Sequence, residues 1–253
     1  MEIWGATDQG MVRKQNQDTF RFLELGGDQF LAVVCDGMGG AKSGDVASRL
    51  AAEVFEEDVR QSAVPDMEQP EIVKMLVGAV KSANRAVYEQ SLLSPDFKGM
   101  GTTLVAVFLQ GNAAYIINVG DSRCYYLSEG EVSQVTEDHS VVGLMVARGQ
   151  ISEEEARNHP NKNLITRAVG TEPQVECDCF YLGLDHGEYL LLCSDGLSNL
   201  VSRPEMLFEI THNEDLSECC QRLIDIAKTR GAPDNVTLVL IERCEWINIL
   251  DGY

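Results

Sequence analysis

The sequence predicts an α+β fold, a largely antiparallel sheet assembly with helices packed outside it. Two helical stretches stand between runs of short, meandering strands. No regular β-α-β alternation is present, which argues against a doubly wound sheet. The longest uncharged stretch, Gly99 to Gly120, is nominally long enough to span a membrane. Gln110-Gly111-Asn112 interrupts it, however, and both arms are rich in Val, Ile, Thr and aromatic residues, so it reads as a hairpin.

The elements follow in order. Ile3 to Asp8 and Phe30 to Asp36 read as strands, the second a buried apolar run ending in Cys35-Asp36-Gly37. From Gly44, the positions Val46, Leu50 and Val54, with Ala47, Ala51 and Phe55, recur at helical spacing. A second helix starts near Pro70 and carries Ile72, Leu76, Val80, Ala83 and Val87 on one stripe; proline suits a first helical turn. Thr102–Leu109, Ala113–Val119, Arg123–Leu127 and Val132–Thr136 are short strands joined by Gly/Asn or Glu-Gly turns. His139–Arg167 is more polar and helical in part. Strands return at Val175–Tyr181 and Tyr189–Cys193. A last helix places Leu216, Cys220, Leu223 and Ala227 at helical spacing, and Val236–Ile241 closes as a strand.

No repeat, low-complexity tract or Pro/Gly/Ser-rich linker divides the 253 residues, so one domain over 1–253 is expected. Twenty basic residues against forty acidic ones give a formal charge of −20. That sign repels phosphate backbones and anionic lipid, which speaks against nucleic acid or a membrane surface as partner. The start, Met1 to Gly5, lacks the basic and apolar regions of a signal peptide. Eight cysteines form no C-x-x-C pair, the pattern of reduced thiols in a cytoplasmic protein. A monomer is the default expectation.

Four segments share one feature, an Asp beside Gly or a small polar residue at a strand end. They are Val33–Gly37 around Asp36, Ile117–Ser122 around Asp121, Leu191–Gly196 around Asp195, and Ala232–Val236 around Asp234, which precedes its strand. Taken alone, each is ordinary turn chemistry. Aspartates converging from several strand ends repel one another unless cations lie between them. Oxygen ligands suit hard ions such as Mg²⁺ or Mn²⁺. Thr7–Phe20 adds Arg13, a planar fork for phosphate oxygens, and Asp18.

Other phosphate chemistries fail on the residues. Gly37–Ser43 misses the P-loop pattern at Asp36 and Ala41, and the dinucleotide pattern fails at Lys42. No cysteine has an arginine six residues on, and neither G-x-S-x-G nor H-E-x-x-H occurs. The four histidines are scattered.

Taken together, Thr7–Phe20, Val33–Gly40 with Gly44–Ser48, Gly101–Thr103, Asn118–Arg123, Asp138–Ser140, Leu164–Gly170, Leu192–Leu197 and Gly231–Thr237 resemble the metal-dependent serine/threonine protein phosphatases of the protein phosphatase 2C family, bacterial type. The resemblance implies a four-layer α-β-β-α fold: a central antiparallel β-sandwich flanked by helix pairs, with a flap over about 139–163 beside the active site. It implies hydrolysis of phosphoserine and phosphothreonine on phosphorylated proteins, opposing a serine/threonine kinase. Two Mn²⁺ or Mg²⁺ ions are implied, with a possible third. Asp36 would bridge both ions, the Gly37 carbonyl would bind one, and Asp195 and Asp234 would hold the other. Asp121, with Asp195, matches a third, weaker site. Asp18 would act through metal-bound water, and Arg13 would grip the substrate phosphate. Water activated by the ions would attack phosphorus in line, without a covalent phosphoenzyme.

Two positions depart from the pattern. Met38 stands where animal members carry His, the proposed general acid, so water or another group must protonate the leaving alkoxide. Gln17 stands where many members have Glu. Both departures leave the metal aspartates intact, so activity is expected. An enzyme restricted to one dedicated partner, and a non-catalytic binding module, remain the alternative readings. Cys35 and Cys193 sit beside or near two of the aspartates and read as small apolar strand residues, with an oxidation-sensitive site as the other reading.

Overall fold

The computed structural model describes residues 1–39, 43–128, 130–213 and 215–244. Gly40, the end of one expected motif, lies outside the described residues, as do Ala41, Lys42 and positions 245–253 of the expected domain. In chain order the elements are β1 (Glu2–Asp8), β2 (Asp18–Gly26), β3 (Gln29–Met38), α1 (Gly44–Ser62), α2 (Gln69–Ser91), β4 (Gly101–Thr102), β5 (Leu104–Gln110), β6 (Ala113–Val119), β7 (Arg123–Ser128) and β8 (Glu131–Gln134). Then follow α3 (Val141–Ala147), α4 (Glu153–Arg157), β9 (Asp178–Gly183), β10 (Tyr189–Cys193), α5 (Asp195–Ser198), α6 (Arg203–Thr211), α7 (Leu216–Thr229) and β11 (Val236–Glu242).

Two antiparallel sheets stack face to face. One runs β1-β11-β10-β7-β8; the other runs β2-β3-β5-β6-β9, with β4 paired to β3. Strand alternation divides the apolar residues between two faces. In β3, Ala32 and Val34 meet Val107, Leu192 and Val239 between the sheets, whereas Leu31, Val33 and Cys35 face α1 and α2. On the far side, Leu191, Cys193, Leu238 and Leu240 face α5, α6 and α7 through Leu197, Ile210, Cys220 and Leu223. The result is the four-layer α-β-β-α arrangement the sequence led us to expect. Each fully buried aliphatic side chain in these three cores contributes about 1.5–3 kcal/mol of transfer free energy.

The helices form where their apolar stripes require. α2 opens with Pro70 in its first turn and a reciprocal capping box between Glu68 and Glu71, and buries Ile72, Leu76, Val80, Ala83 and Val87. α1 buries Ala47, Ala51 and Phe55, while Val46, Leu50 and Val54 are only partly covered.

Four expectations need correction. No strand is expected between Asp8 and Phe30, yet Asp18–Gly26 forms β2, an edge strand with every residue from Asp18 to Leu23 paired to β3. Thr102–Leu109 is broken at Thr103, whose hydroxyl and amide serve Asp36 instead of continuing one strand. α5 and α6 were not anticipated, and β9 begins at Asp178, three residues past the expected Val175.

Candidate active site

Both sheets contribute to one open cleft of about 690 Å³. Asp36 and Gly37, near the end of β3, line it together with Asp121, Asp195, Asp234 and Arg13. Asp18 is not on its surface but buried behind it, 8% exposed.

Local bonding fixes each group. The Asp36 amide donates to Thr103 Oγ1 (2.9 Å), and its carbonyl accepts from the Thr103 amide and the Thr102 hydroxyl, each at 2.9 Å. Thr103 Oγ1 also meets Ser122 Oγ at 2.7 Å, tying the end of β3 to the loop that carries Asp121. That loop is braced a second time. The Gly120 amide donates to His139 Nδ1 (3.1 Å), and the Gly120 carbonyl accepts from the His139 amide (2.9 Å). Nδ1 therefore accepts, and Nε2 is the nitrogen that donates to Asp178 Oδ2 at 2.9 Å.

Asp195 is the first residue of α5, and Asn199 Nδ2 donates to its Oδ2 at 3.1 Å. Gly196 follows because the chain has no room for more: a Cβ there would lie 1.9 Å from the Asn235 carbonyl oxygen. Gly37 is equally confined, its Cβ position being 2.1 Å from the Gly44 carbonyl oxygen. These are close backbone approaches, the second use of glycine beside a site.

The loop bearing Arg13 is held by one buried side chain. Asn235 Nδ2 donates to the carbonyls of Gln9 (2.8 Å) and Gln15 (3.0 Å), and its Oδ1 accepts from the Gln17 amide (2.9 Å). Arg13 Nη2 then reaches Asp234 Oδ2 at 2.6 Å, with half of its own side chain exposed to the cleft.

The electrostatics are those of crowded carboxylates. Burial first, then the charges of Asp18, Asp195, Asp121 and Asp234, pushes the Asp36 carboxyl well above the usual range. Burial and the neighbouring carboxylates raise Asp18 to about 7, against the hydrogen bond from Ser194 Oγ at 2.8 Å, and raise Asp121 to about 8. Asp195 is raised too, by burial and by Asp234. Arg123, held by Asp138 at 2.6 Å, opposes the rise at Asp121 and Asp195. One arginine at the mouth and one behind the wall leave the cluster short of positive charge.

This donor set fits hard divalent cations. It is all oxygen, its charge is unbalanced, and Asp18 Oδ1 is buried with no partner. Among the described residues, no three cleft carboxylates bring one oxygen each within 4.8 Å of one another.

The protein phosphatase 2C family profile matches residues 11–239. The chain belongs to the protein phosphatase 2C family. It is 39% identical over 237 residues to the serine/threonine phosphatase stp of Listeria monocytogenes, covering 94% of both chains. Among solved structures it resembles serine/threonine phosphatase Stp1 from Staphylococcus aureus, with a TM-score of 0.91 and 34% identity over 96% of this chain and 95% of that one. It also resembles the catalytic domain of serine/threonine protein phosphatase PstP in complex with two manganese ions, with a TM-score of 0.83 and 35% identity over 96% and 98% of the two chains.

For a protein phosphatase 2C member, the lining residues include both departures, Met38 and Gln17. No histidine lines the cleft among the described residues; His139 is 6% exposed and engaged on both ring nitrogens. Cys35 and Cys193 are fully buried, with burial pushing the Cys35 thiol far up and Cys193 to about 12, so both behave as apolar strand residues. Sequence reasoning missed Asn235, Thr103 and Ser194 as scaffold, and Asn163 and Ile165 as individual cleft residues. Thr103, Ile165, Ser194 and Asn235 all lie inside segments that carry the family resemblance, which was the available signal.

Proposed function

We propose that this chain is a metal-dependent phosphoprotein phosphatase that hydrolyses phosphoserine and phosphothreonine. The observation that carries the reading is five aspartates gathered at one end of the two sheets with a single arginine at the cleft mouth. In this reading residues 1–253 act as one catalytic domain with a flap over about 139–163. Asp36, the Gly37 carbonyl, Asp195 and Asp234 hold two Mn²⁺ or Mg²⁺ ions, and Asp121 joins a third, weaker site. When bound, the ions acidify water and neutralise charge on the phosphoryl group.

The rest is supplied by the chain. Arg13 turns from Asp234 to the phosphate oxygens, for which its fork is matched, and orients the phosphorus for in-line attack. Asp18, anchored by Ser194, supplies a fixed acceptor behind the wall. With no histidine lining the cleft and Met38 in its place, solvent delivers the proton to the departing alkoxide.

The partners proposed are phosphorylated proteins, with a cognate serine/threonine kinase supplying them, acted on by a cytoplasmic monomer. No nucleic-acid or membrane partner is proposed. No helix among the described residues is long and apolar enough to cross a membrane.

The test is phosphate release from a phosphothreonine peptide with Mn²⁺, with Mg²⁺ and with EDTA, beside Asp36→Asn. Calorimetric Mn²⁺ titration of both proteins runs in parallel. Turnover with Mn²⁺ that disappears in EDTA and in the variant, with weakened Mn²⁺ binding, is expected. A folded, Mn²⁺-binding parent that releases no phosphate from this or any phosphoprotein would overturn the enzyme reading.

A further inference from the structure

Five of the eight cysteines are buried: Cys35, Cys124, Cys193, Cys219 and Cys220. Cys177 and Cys179 are different. They flank Asp178, the first residue of β9, which among the described residues is an edge strand paired with β6. Side chains alternate along a strand, so residues two apart project from one face. Cys177 packs on the core beneath α1 and α2, and Cys179 stands opposite Ile117 of that same core. Asp178 points the other way, where its carboxylate accepts from His139 Nε2 and Arg167 Nη1, both at 2.9 Å. Cys179 is exposed and Cys177 half-buried, and the neighbouring thiol pulls Cys179 below the ordinary thiol range while it pushes Cys177 above it.

We propose that Cys177 and Cys179 are a vicinal dithiol that a hydroperoxide oxidises reversibly to an intrachain disulfide, a modification site apart from the phosphatase cleft. The Cys179 thiolate attacks one peroxide oxygen; an S–O bond forms, the O–O bond breaks, and water leaves after protonation. The Cys177 sulfur then attacks the resulting sulfenic sulfur, forming S–S and expelling a second water. The two sulfurs give up two electrons and the peroxide takes them. Cys179 is the exposed partner and therefore the one peroxide meets first, and the neighbouring Cys177 thiol favours its thiolate.

The ring can close. Residues two apart in extended backbone have Cα atoms about 6.6 Å apart, near the upper end of the range disulfides span, and their parallel side chains must bring the Cβ atoms within about 3.5–4.5 Å, so closure folds the backbone inward at Asp178. Closure therefore tightens the edge strand, and an exposed bond of this kind stays open to dithiol reductants. Because Asp178 lies between the two sulfurs, the tightening re-aims the carboxylate that holds His139 and Arg167. His139 in turn braces Gly120 beside Asp121. Oxidation is thereby linked to the cleft through one carboxylate.

The test uses the full chain with hydrogen peroxide, followed by unfolding, alkylation and peptide mass mapping. In the parent, Cys177 and Cys179 are expected to escape alkylation together, lighter by two hydrogens. Dithiothreitol should restore both thiols, and the five buried cysteines should stay reduced. Cys177→Ser should stop at a sulfenic acid on Cys179 that a dione reagent traps. Oxidation of Cys179 to sulfinic acid in the parent with Cys177 still alkylated would overturn the proposal, as would a Cys179 disulfide between two copies on a non-reducing gel. Phosphopeptide turnover should fall on oxidation and recover with dithiothreitol in the parent, and stay constant in Cys177→Ser/Cys179→Ser. An unchanged rate in the fully oxidised parent would overturn the link to the cleft.

Discussion

Replacing Asn235 isolates one structural support of the cleft. Its side chain is 3% exposed and makes three hydrogen bonds, to Gln9, Gln15 and Gln17 of the loop that carries Arg13. Each such bond contributes about 0.5–1.5 kcal/mol net, so Asn235→Ala should cost roughly 2–4 kcal/mol. In a domain of this size that lowers Tm by about 5–15 °C. Asn235→Asp is the sharper variant. It keeps the acceptor for the Gln17 amide, but sets a carboxylate oxygen against the Gln9 and Gln15 carbonyls beside Asp234, so it should be at least as damaging as Ala. Urea unfolding and phosphopeptide kinetics are the assays, and KM should rise in both variants as the Arg13 loop loosens. If Asn235→Ala unfolds within about 0.5 kcal/mol of the parent, or Asp is better tolerated than Ala, the argument from these three bonds is wrong.

Two further outcomes follow from the same cleft. Arg13→Ala should lower kcat/KM by about 10- to 150-fold, the worth of charge-assisted bonds to phosphate, and Arg13→Lys should recover only part because it lacks the fork; steady-state rates decide this. Metal-free protein should lose stability as pH rises, because Asp18 and Asp121 titrate at about 7 and about 8 when folded against 3.8 when unfolded. An acid with a raised folded value ionises first in the unfolded chain. The loss from these two groups therefore begins near the unfolded value and extends to about pH 8, and the raised Asp36 acts in the same direction. Urea unfolding in EDTA across this range should show the slope, and excess Mn²⁺ should flatten it.

The aspartates were legible because each sits next to a small residue at a strand end, a local signal. Their supports were not. Asn235 meets Gln9, and Ser194 meets Asp18, across most of the chain, and nothing in a short window announces such a meeting. β2 escaped for a different reason. As an edge strand it mixes apolar and charged residues on both faces, Phe20, the exposed Phe22 and Glu24 on one and Arg21, Leu23 and Leu25 on the other, so neither face reads as purely apolar in the sequence. In α6 the buried Met206 and Ile210 were masked by the exposed Phe208, although Ser202, Pro204 and Glu205 spell a helix start. The antiparallel hairpin of β5 and β6 was readable because both arms are buried throughout and one glycine turn joins them.

β11 lies between β1 and β10, and the residues just before it bring Asp234 to the cleft. During synthesis, the first sheet therefore stays without an inner strand, and the cleft without one wall, until residues near 242 have left the ribosome. Thr7 waits for Thr237 over a separation of 230 residues. Such distant pairings make for slow folding. They also mean that a partly made chain, or one cut ahead of β11, has no assembled site: the order of translation itself withholds activity until the sandwich closes.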